Sequence, residues 1–139
     1  MRFLPVLAVL LVGCGVTPRL LLPSPPRAVD ANAAAPPLAA GENIKPTEIA
    51  RAGHASLALV QIRDGETPHV HATYDLTVTL LDGEGTLWLD GALLAMRRGD
   101  VAFIPRGTPH HFVNGGDAPA RAAVVFAPPF AGPDQQPVP

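Results

Sequence analysis

The stretch that decides the fold runs from Gly99 to Asn114 and reads GDVAFIPRGTPHHFVN. Two short runs typical of β-strands, Asp100 to Ile104 and His111 to Asn114, flank a turn at Arg106-Gly107. Glycine in such pairs supplies the positive φ that tight turns demand. The stretch therefore predicts two β-strands joined by a compact turn.

The same pattern extends outward along the middle of the chain. Apolar residues alternate or form short blocks between turn signals, and no segment keeps a helical period for long. Many short strands at close spacing predict an all-β fold, either a sandwich or a compact barrel. The predicted strands are Ser56 to Arg63, Leu76 to Leu81, Gly85 to Leu89, Leu93 to Met96, Asp100 to Ile104, His111 to Asn114 and Ala120 to Ala127.

The distribution of proline predicts the domain limits. Of 17 prolines, seven lie between Val16 and Thr47 (18, 23, 25, 26, 36, 37, 46), and five lie in the last twelve residues (128, 129, 133, 137, 139). Proline fixes φ and lacks a backbone donor, so it is poorly suited to central strands. We therefore expect one folded domain over residues 47–130, a disordered Pro/Ala-rich tether over residues 14–46, and a C-terminal tail over residues 131–139.

Length and charge exclude several classes of function. A chain of 139 residues has room for one core, which excludes two catalytic domains. The 10 Lys+Arg and 12 Asp+Glu leave a net charge of -2 without a basic stripe. Binding to the nucleic-acid backbone requires such a stripe, so we expect no nucleic-acid partner.

The N-terminus has the features of an export signal. Arg2 precedes an apolar run from Phe3 to Val12, which is too short for a spanning helix of ~20 residues. The end of the run, Leu11-Val12-Gly13-Cys14, resembles the lipobox of bacterial lipoproteins, in which the cysteine receives a diacylglyceryl group before cleavage. This resemblance implies a signal peptide over residues 1–13, lipidation of Cys14, and anchoring to a membrane of the bacterial cell envelope, facing the periplasm or the exterior. The alternative is a chance cysteine in an ordinary secretory signal or in the core.

Three histidines form a candidate metal site. His69 and His71 are two residues apart, so on a strand both side chains point to one face. His110 follows the turn at Pro105-Arg106-Gly107, which can bring it to the same place. Three histidines suit zinc, and histidine with a carboxylate suits iron, manganese, nickel or copper. The alternative is three structural or surface histidines, and His111 is expected to face the opposite side.

These residues resemble the two motifs of the cupin superfamily, in particular its small single-domain members of the cupin 2 type. The spacing of Gly99, Pro105, Gly107, His110 and Asn114 is that of the second cupin motif. The first motif is similar but altered: its two histidines are His69 and His71, and its closing glycines are Gly83 and Gly85. The resemblance covers residues 65–114. It implies a small jelly-roll barrel, or double-stranded β-helix, that encloses a divalent transition metal.

The first motif departs from the family pattern at one ligand. Cupins of the usual type have a glutamate after the second histidine with three or four residues between, and here those positions hold Asp75 and Leu76. We name Asp75 as a candidate fourth ligand, with a supporting or surface role as the alternative. Tyr74 is expected to cover the barrel mouth rather than to reach the metal.

Two classes of function fit these features. The favoured one is a membrane-anchored cupin that binds a divalent metal and a small-molecule ligand at the cell envelope. The alternative is a metal-dependent enzyme of the cupin dioxygenase or isomerase type. A homodimer is a further expectation, because Ala122 to Phe126 is apolar enough to need a partner if it forms an edge strand.

Overall fold

The computed structural model describes residues 15–138, and over that range the secondary structure is entirely β. This confirms the all-β prediction. The described residues form twelve strands: β1 (Arg19–Pro23), β2 (Pro26–Asp30), β3 (Ile44–Arg51), β4 (Ser56–Ile62), β5 (His69–His71), β6 (Asp75–Asp82), β7 (Glu84–Leu89), β8 (Ala92–Arg97), β9 (Val101–Ile104), β10 (His110–Asn114), β11 (Ala120–Ala127) and β12 (Gln135–Pro137).

Two five-stranded antiparallel sheets make up the jelly roll. One has the order β12-β5-β10-β7-β8 and the other β3-β4-β11-β6-β9, while β1 and β2 form a separate hairpin. Strand β11 pairs with both β4 and β6, so it is central. The expectation that Ala122 to Phe126 lies at an edge is therefore wrong, because both of its sides already have hydrogen-bonding partners.

The core lies between the two large sheets. In β11, Ala120, Ala122, Val124 and Phe126 are buried at every second position, as the period of a strand requires. Gly85 of β7 lets Phe112 of the neighbouring strand β10 pack closely against the backbone. A Cβ at this glycine would lie 2.4 Å from the ring of Phe112, and the space is thus filled by that ring.

The N-terminal segment differs from the disordered tether that its prolines predict. Residues 19–30 form a hairpin in which Leu20 and Leu22 are buried. The prolines are compatible with it because Pro23 ends β1 and Pro26 begins β2, next to the turn rather than inside a central strand.

This hairpin belongs to a strap, residues 16–42, that runs over the outer face of the sheet containing β4. The amide of Gln61 donates to the carbonyl of Pro36 at 2.8 Å, and the guanidinium of Arg121 donates to Asn32. Leu59, which points away from the barrel core, is only 1% exposed. The strap thus covers an apolar face of the sheet that would otherwise be open to water.

The folded domain extends beyond both of its predicted limits. Strand β3 starts at Ile44, three residues before Thr47, and Pro46 is tolerated because β3 is an edge strand. At the other end, the predicted tail contains β12, which pairs with β5 as a second edge strand. The barrel therefore includes residues on both sides of 47–130.

The candidate lipobox, with Cys14, lies outside the described residues. Among residues 15–138, no helix is long and apolar enough to cross a membrane.

Candidate metal centre

The structure brings the three predicted histidines together. His69 and His71 lie on β5, and His110 is the direct cross-strand neighbour of His69 on β10. The ring centroids of His69 and His110 are 4.4 Å apart, and those of His71 and His110 are 5.5 Å apart. All three side chains are buried, and one ring nitrogen from each lies within 4.8 Å of the others. Three imidazoles thus converge on one point.

Each of these imidazoles has its Nδ1 atom engaged by an acceptor. The acceptors are the carbonyl of Thr67 for His69 at 2.7 Å, the carbonyl of Thr108 for His110 at 2.9 Å, and the carboxylate of Asp134 for His71 at 2.6 Å. A carbonyl or carboxylate oxygen can only accept, so Nδ1 carries the proton and Nε2 keeps its lone pair. Fixing the tautomer in this way leaves Nε2 as the metal-binding atom.

Two of these acceptors come from a repeated tripeptide. Thr67-Pro68-His69 and Thr108-Pro109-His110 have the same sequence, and in both the histidine Nδ1 donates to the threonine carbonyl two residues earlier. The intervening proline fixes its own φ near -65°, which restricts how the carbonyl and the imidazole face each other. This repeat is a signal of imidazole orientation that the sequence analysis missed.

The turn of the second motif is fastened to the strand of the first. Gly107 has φ 78°, a conformation that residues with a side chain rarely adopt, and its N–H donates to the carbonyl of His71 at 2.8 Å. Thr108 closes the turn with a hydrogen bond to the carbonyl of Pro105 at 3.1 Å. The turn therefore delivers His110 to the two histidines of β5.

Asp134 is a site residue that the sequence analysis left in the C-terminal tail. Its carboxylate is nearly buried; one oxygen accepts from His71, and the other accepts from the N–H of Thr73 at 2.8 Å. Burial acts to raise the pKa of Asp134, but the hydrogen bonds from His71 and Thr73 outweigh it and hold the pKa below its ordinary value. The ionised carboxylate accepts the Nδ1 proton of His71 and so orients its ring.

The protonation state of His110 suits a metal ligand. Burial lowers the pKa of His110 from 6.5 to about 4, against the raising effect of the Thr108 carbonyl, and the neighbouring His69, His71 and His111 lower it further. The imidazole is therefore neutral near pH 7, as metal coordination requires.

The structure does not place Asp75 with the histidines. Its carboxylate accepts from the backbone N–H of Arg106 at 2.9 Å and from two guanidinium nitrogens of the same residue at 3.2 Å. The side-chain hydrogen bond from Arg106 is the largest cause of the lowered pKa of Asp75. Asp75 thus fixes the motif turn to β6, which is the supporting role that the sequence left open.

Tyr74 and His111 are not members of the cluster: the Tyr74 ring packs beside it, with its centroid 6.2 Å from that of His71, and His111 lies outside it. The hydroxyl of Tyr74 accepts from the N–H of Ala131 at 2.8 Å and donates to the carbonyl of Gly132 at 3.1 Å, so it holds the C-terminal segment over the barrel. The ring of His111 stacks on that of Trp88 with a centroid distance of 5.7 Å, on the outer face of the sheet.

A cavity of about 480 Å³ adjoins the three histidines. Its size falls within the ~300–1,000 Å³ that is usual for small-molecule sites. The walls are mainly aliphatic, and Glu66 is one of the few acidic groups among them, with its carboxylate accepting from the N–H of Phe112 at 2.9 Å. The aliphatic lining includes Val60, Ile62, Leu76, Leu80, Leu87 and Ile104.

The donor set fits a transition metal. Three imidazoles whose Nδ1 atoms are bound to acceptors are a common protein ligand set for zinc and related divalent ions, and they leave coordination positions open for water or a ligand. The residues that would hold such an ion are His69, His71 and His110.

Three comparisons show what the chain is similar to. It is 38% identical over 93 residues to an uncharacterized protein of Aquifex aeolicus, which covers 67% of this chain and 76% of that protein. A protein of Klebsiella pneumoniae with a double-stranded β-helix domain superposes with a TM-score of 0.64 at 21% identity, over 76% of this chain and 93% of its own. The nucleoside dehydratase Pac13 of Streptomyces superposes with a TM-score of 0.58 at 19% identity, over 69% and 78%.

The family match covers the barrel itself. Residues 57–126, half of the chain, match the family described as cupin domain. This range takes in nearly all of β4 to β11 and all three histidines. The chain therefore belongs to the cupin family.

Proposed function

We propose that this cupin holds a divalent transition metal on His69, His71 and His110 and admits a small, largely apolar ligand to the adjoining cavity. The observation that carries the proposal is the state of the imidazoles. All three are buried, all three have Nδ1 bound to an acceptor, and their remaining nitrogens converge. A site whose ligands are already oriented binds a metal at a lower entropic cost than one that must be assembled.

The shape of the cavity supports the ligand class. Aliphatic walls favour an apolar body, and the open positions of a bound ion favour an oxygen or nitrogen donor at one end. When bound, the ion would supply Lewis acidity toward that donor. The aliphatic residues that line the cavity would orient the ligand and exclude water from it.

We further propose that the protein acts at the bacterial cell envelope, anchored by lipid on Cys14. The support is the lipobox-like Leu11-Val12-Gly13-Cys14 at the end of a short apolar run. Acyl chains contribute ~0.8 kcal/mol per buried methylene, so a diacylated cysteine anchors a protein without a membrane-spanning helix.

Metal analysis of the full chain, purified without added metal, tests the metal proposal. We expect near-stoichiometric metal, and we expect His69→Ala, His71→Ala or His110→Ala to remove most of it and to lower the Tm measured with metal present. His111→Ala is the matched control and should retain both. If the triple replacement of the site histidines leaves metal content and Tm unchanged, the proposal is overturned.

A metal-dependent enzyme of the dioxygenase or isomerase type is the second candidate, and Glu66 is the observation that favours it. Its carboxylate lines the mainly apolar cavity that adjoins the histidines. In an enzyme, that is the place for a general base that takes a proton from the bound substrate. Pac13, a dehydratase, has the same fold, so this architecture accommodates catalysis. Mass spectrometry of incubated candidate ligands separates the two functions: a binding protein returns them unchanged. An enzyme converts them, and Glu66→Gln should then abolish conversion while metal content stays normal.

A further inference from the structure

A side-chain amide lies beside the three histidines, at a position open to a fourth protein ligand. The Nε2 atom of Gln135, on β12, is 3.2 Å from the Nε2 atom of His69. That imidazole nitrogen is the metal-binding atom, because Nδ1 of the same ring is bound to Thr67. The amide therefore lies against the lone pair that an ion would use.

This distance is the one expected between two ligands of one ion. Metal–nitrogen and metal–oxygen bonds of ~2.1 Å place adjacent ligand atoms about 3.0 Å apart at right angles and about 3.4 Å apart in a tetrahedron. The separation of 3.2 Å lies between these values. An ion bound to His69 is thus within reach of the Gln135 amide without a change of backbone.

Strand β12 holds Gln135 in this place. Gln135 pairs with His71 in the antiparallel register, so both side chains point to the same face of the sheet. The preceding residue, Asp134, is bound to His71 and Thr73, and Tyr74 holds the chain at Ala131 and Gly132. Gln136, by contrast, pairs with Val70 and belongs to the opposite face.

Asp75, which holds one of the two positions of the usual glutamate in the first motif, is bound to Arg106. We infer that Gln135 replaces that glutamate as the fourth protein ligand, through its side-chain amide oxygen; this inference rests on the proposed metal binding. The oxygen and nitrogen of the amide exchange places by rotation about the last side-chain torsion. The nitrogen donates to His69 without metal, and the oxygen faces the ion when metal is bound.

Titration of the full chain with Co²⁺, followed by visible absorption, tests this inference. We expect Gln135→Ala to weaken Co²⁺ binding about tenfold or more and to change the d–d spectrum, which reports the ligand number. Gln135→Glu should restore tight binding, because it places a carboxylate oxygen at the same position. Gln136→Ala, one residue along the same strand, is the control and should match the wild type in affinity and spectrum.

The outcomes separate this inference from the proposed function. If the wild type binds Co²⁺ and Gln135→Ala binds it with the same affinity and spectrum, Gln135 is not a ligand while the three-histidine site stands. The inference is also overturned if Gln135→Glu binds as weakly as Gln135→Ala, because the loss then comes from the strand rather than from the ligand atom. If the wild type binds no Co²⁺, both the site and the inference fall.

Discussion

At the scale of single residues, three hydrogen bonds determine which nitrogen of each imidazole can bind a metal. They are made by the Nδ1 atoms of His69, His71 and His110. Two of the acceptors are backbone carbonyls, which no substitution removes directly. The third is the carboxylate of Asp134, which is the one acceptor of the three that carries charge. It is therefore the position at which the hydrogen bonding of a metal-binding histidine can be changed by mutation.

We predict that Asp134→Asn weakens metal binding about 10- to 100-fold, the range usual for partners of metal-binding histidines. The replacement removes the negative charge, and it puts an NH₂ group, which cannot accept, in place of one of the two oxygens that accept from His71 and Thr73. Competition with a metal indicator measures the affinity. Asp117→Asn, at an exposed position, is the control. Equal affinities for Asp134→Asn and the wild type would mean that the carboxylate does not support His71.

His110 predicts how the metal-free protein responds to pH. Its pKa of about 4 in the folded state is below the ~6.5 of an unfolded chain, so between these values the unfolded state binds more protons. The free energy of unfolding should therefore rise as pH rises from about 4 to 6.5 and level off above. Thermal melts in chelator across this range measure it. The rise should be shallower in His110→Gln, and an identical rise in both proteins would contradict the assignment.

The site residues divide by how the sequence encodes them. His69 and His71 were predictable because strand parity places residues i and i+2 on one face, and His110 because the motif turn returns the chain. Asp134 and Gln135 were not, since they are more than 60 residues from their partners along the chain and lie in a proline-rich segment. Nothing local in their sequence indicates the strand with which they pair.

At the scale of elements, alternation predicted β4 and the run from β6 to β11, and it missed β1, β2, β3, β5 and β12. The predicted strand Ala120 to Ala127 is β11 to the residue, because its small and large apolar residues alternate through the core. Strands β5 and β12 have three residues each, too few to show a period. The proline rule failed for β3 and β12 because both are edge strands, where a missing N–H costs no ladder hydrogen bond.

The strap over the outer sheet face yields a prediction about stability. A chain that starts at Asn43 keeps both large sheets but exposes Leu59 and removes the Pro36 carbonyl from Gln61. Uncovering one leucine costs ~1.5–3 kcal/mol, so we expect a β-type circular dichroism spectrum with a Tm several degrees lower. A Tm equal to that of the chain from Gly15 onward would show that the strap contributes nothing to the barrel.

At the scale of the whole molecule, the N-terminal segment fixes where the barrel would stand relative to a membrane. The guanidinium of Arg98, in the turn between β8 and β9, donates to the carbonyl of Val16. Residues 16–42 then cross the sheet as a strap, so they do not act as a long flexible spacer. If Cys14 carries lipid, only Gly15 separates it from the residue bound to the barrel, and the barrel should lie close to the bilayer.

This arrangement makes the lipid anchor testable by two linked measurements. Expressed in a bacterial host, the wild-type chain should partition into membranes, and mass spectrometry should find an acylated Cys14 at the mature N-terminus. Cys14→Ser should move the protein out of the membrane fraction, because diacylation requires the thiol. Proximity to the bilayer adds a second readout: protease treatment of membranes should release the barrel more slowly from the wild type than from a chain with a glycine-serine linker inserted after Gly15. An unacylated mature N-terminus at another residue would overturn the anchor, whereas equal release rates with an acylated Cys14 would overturn only the short tether.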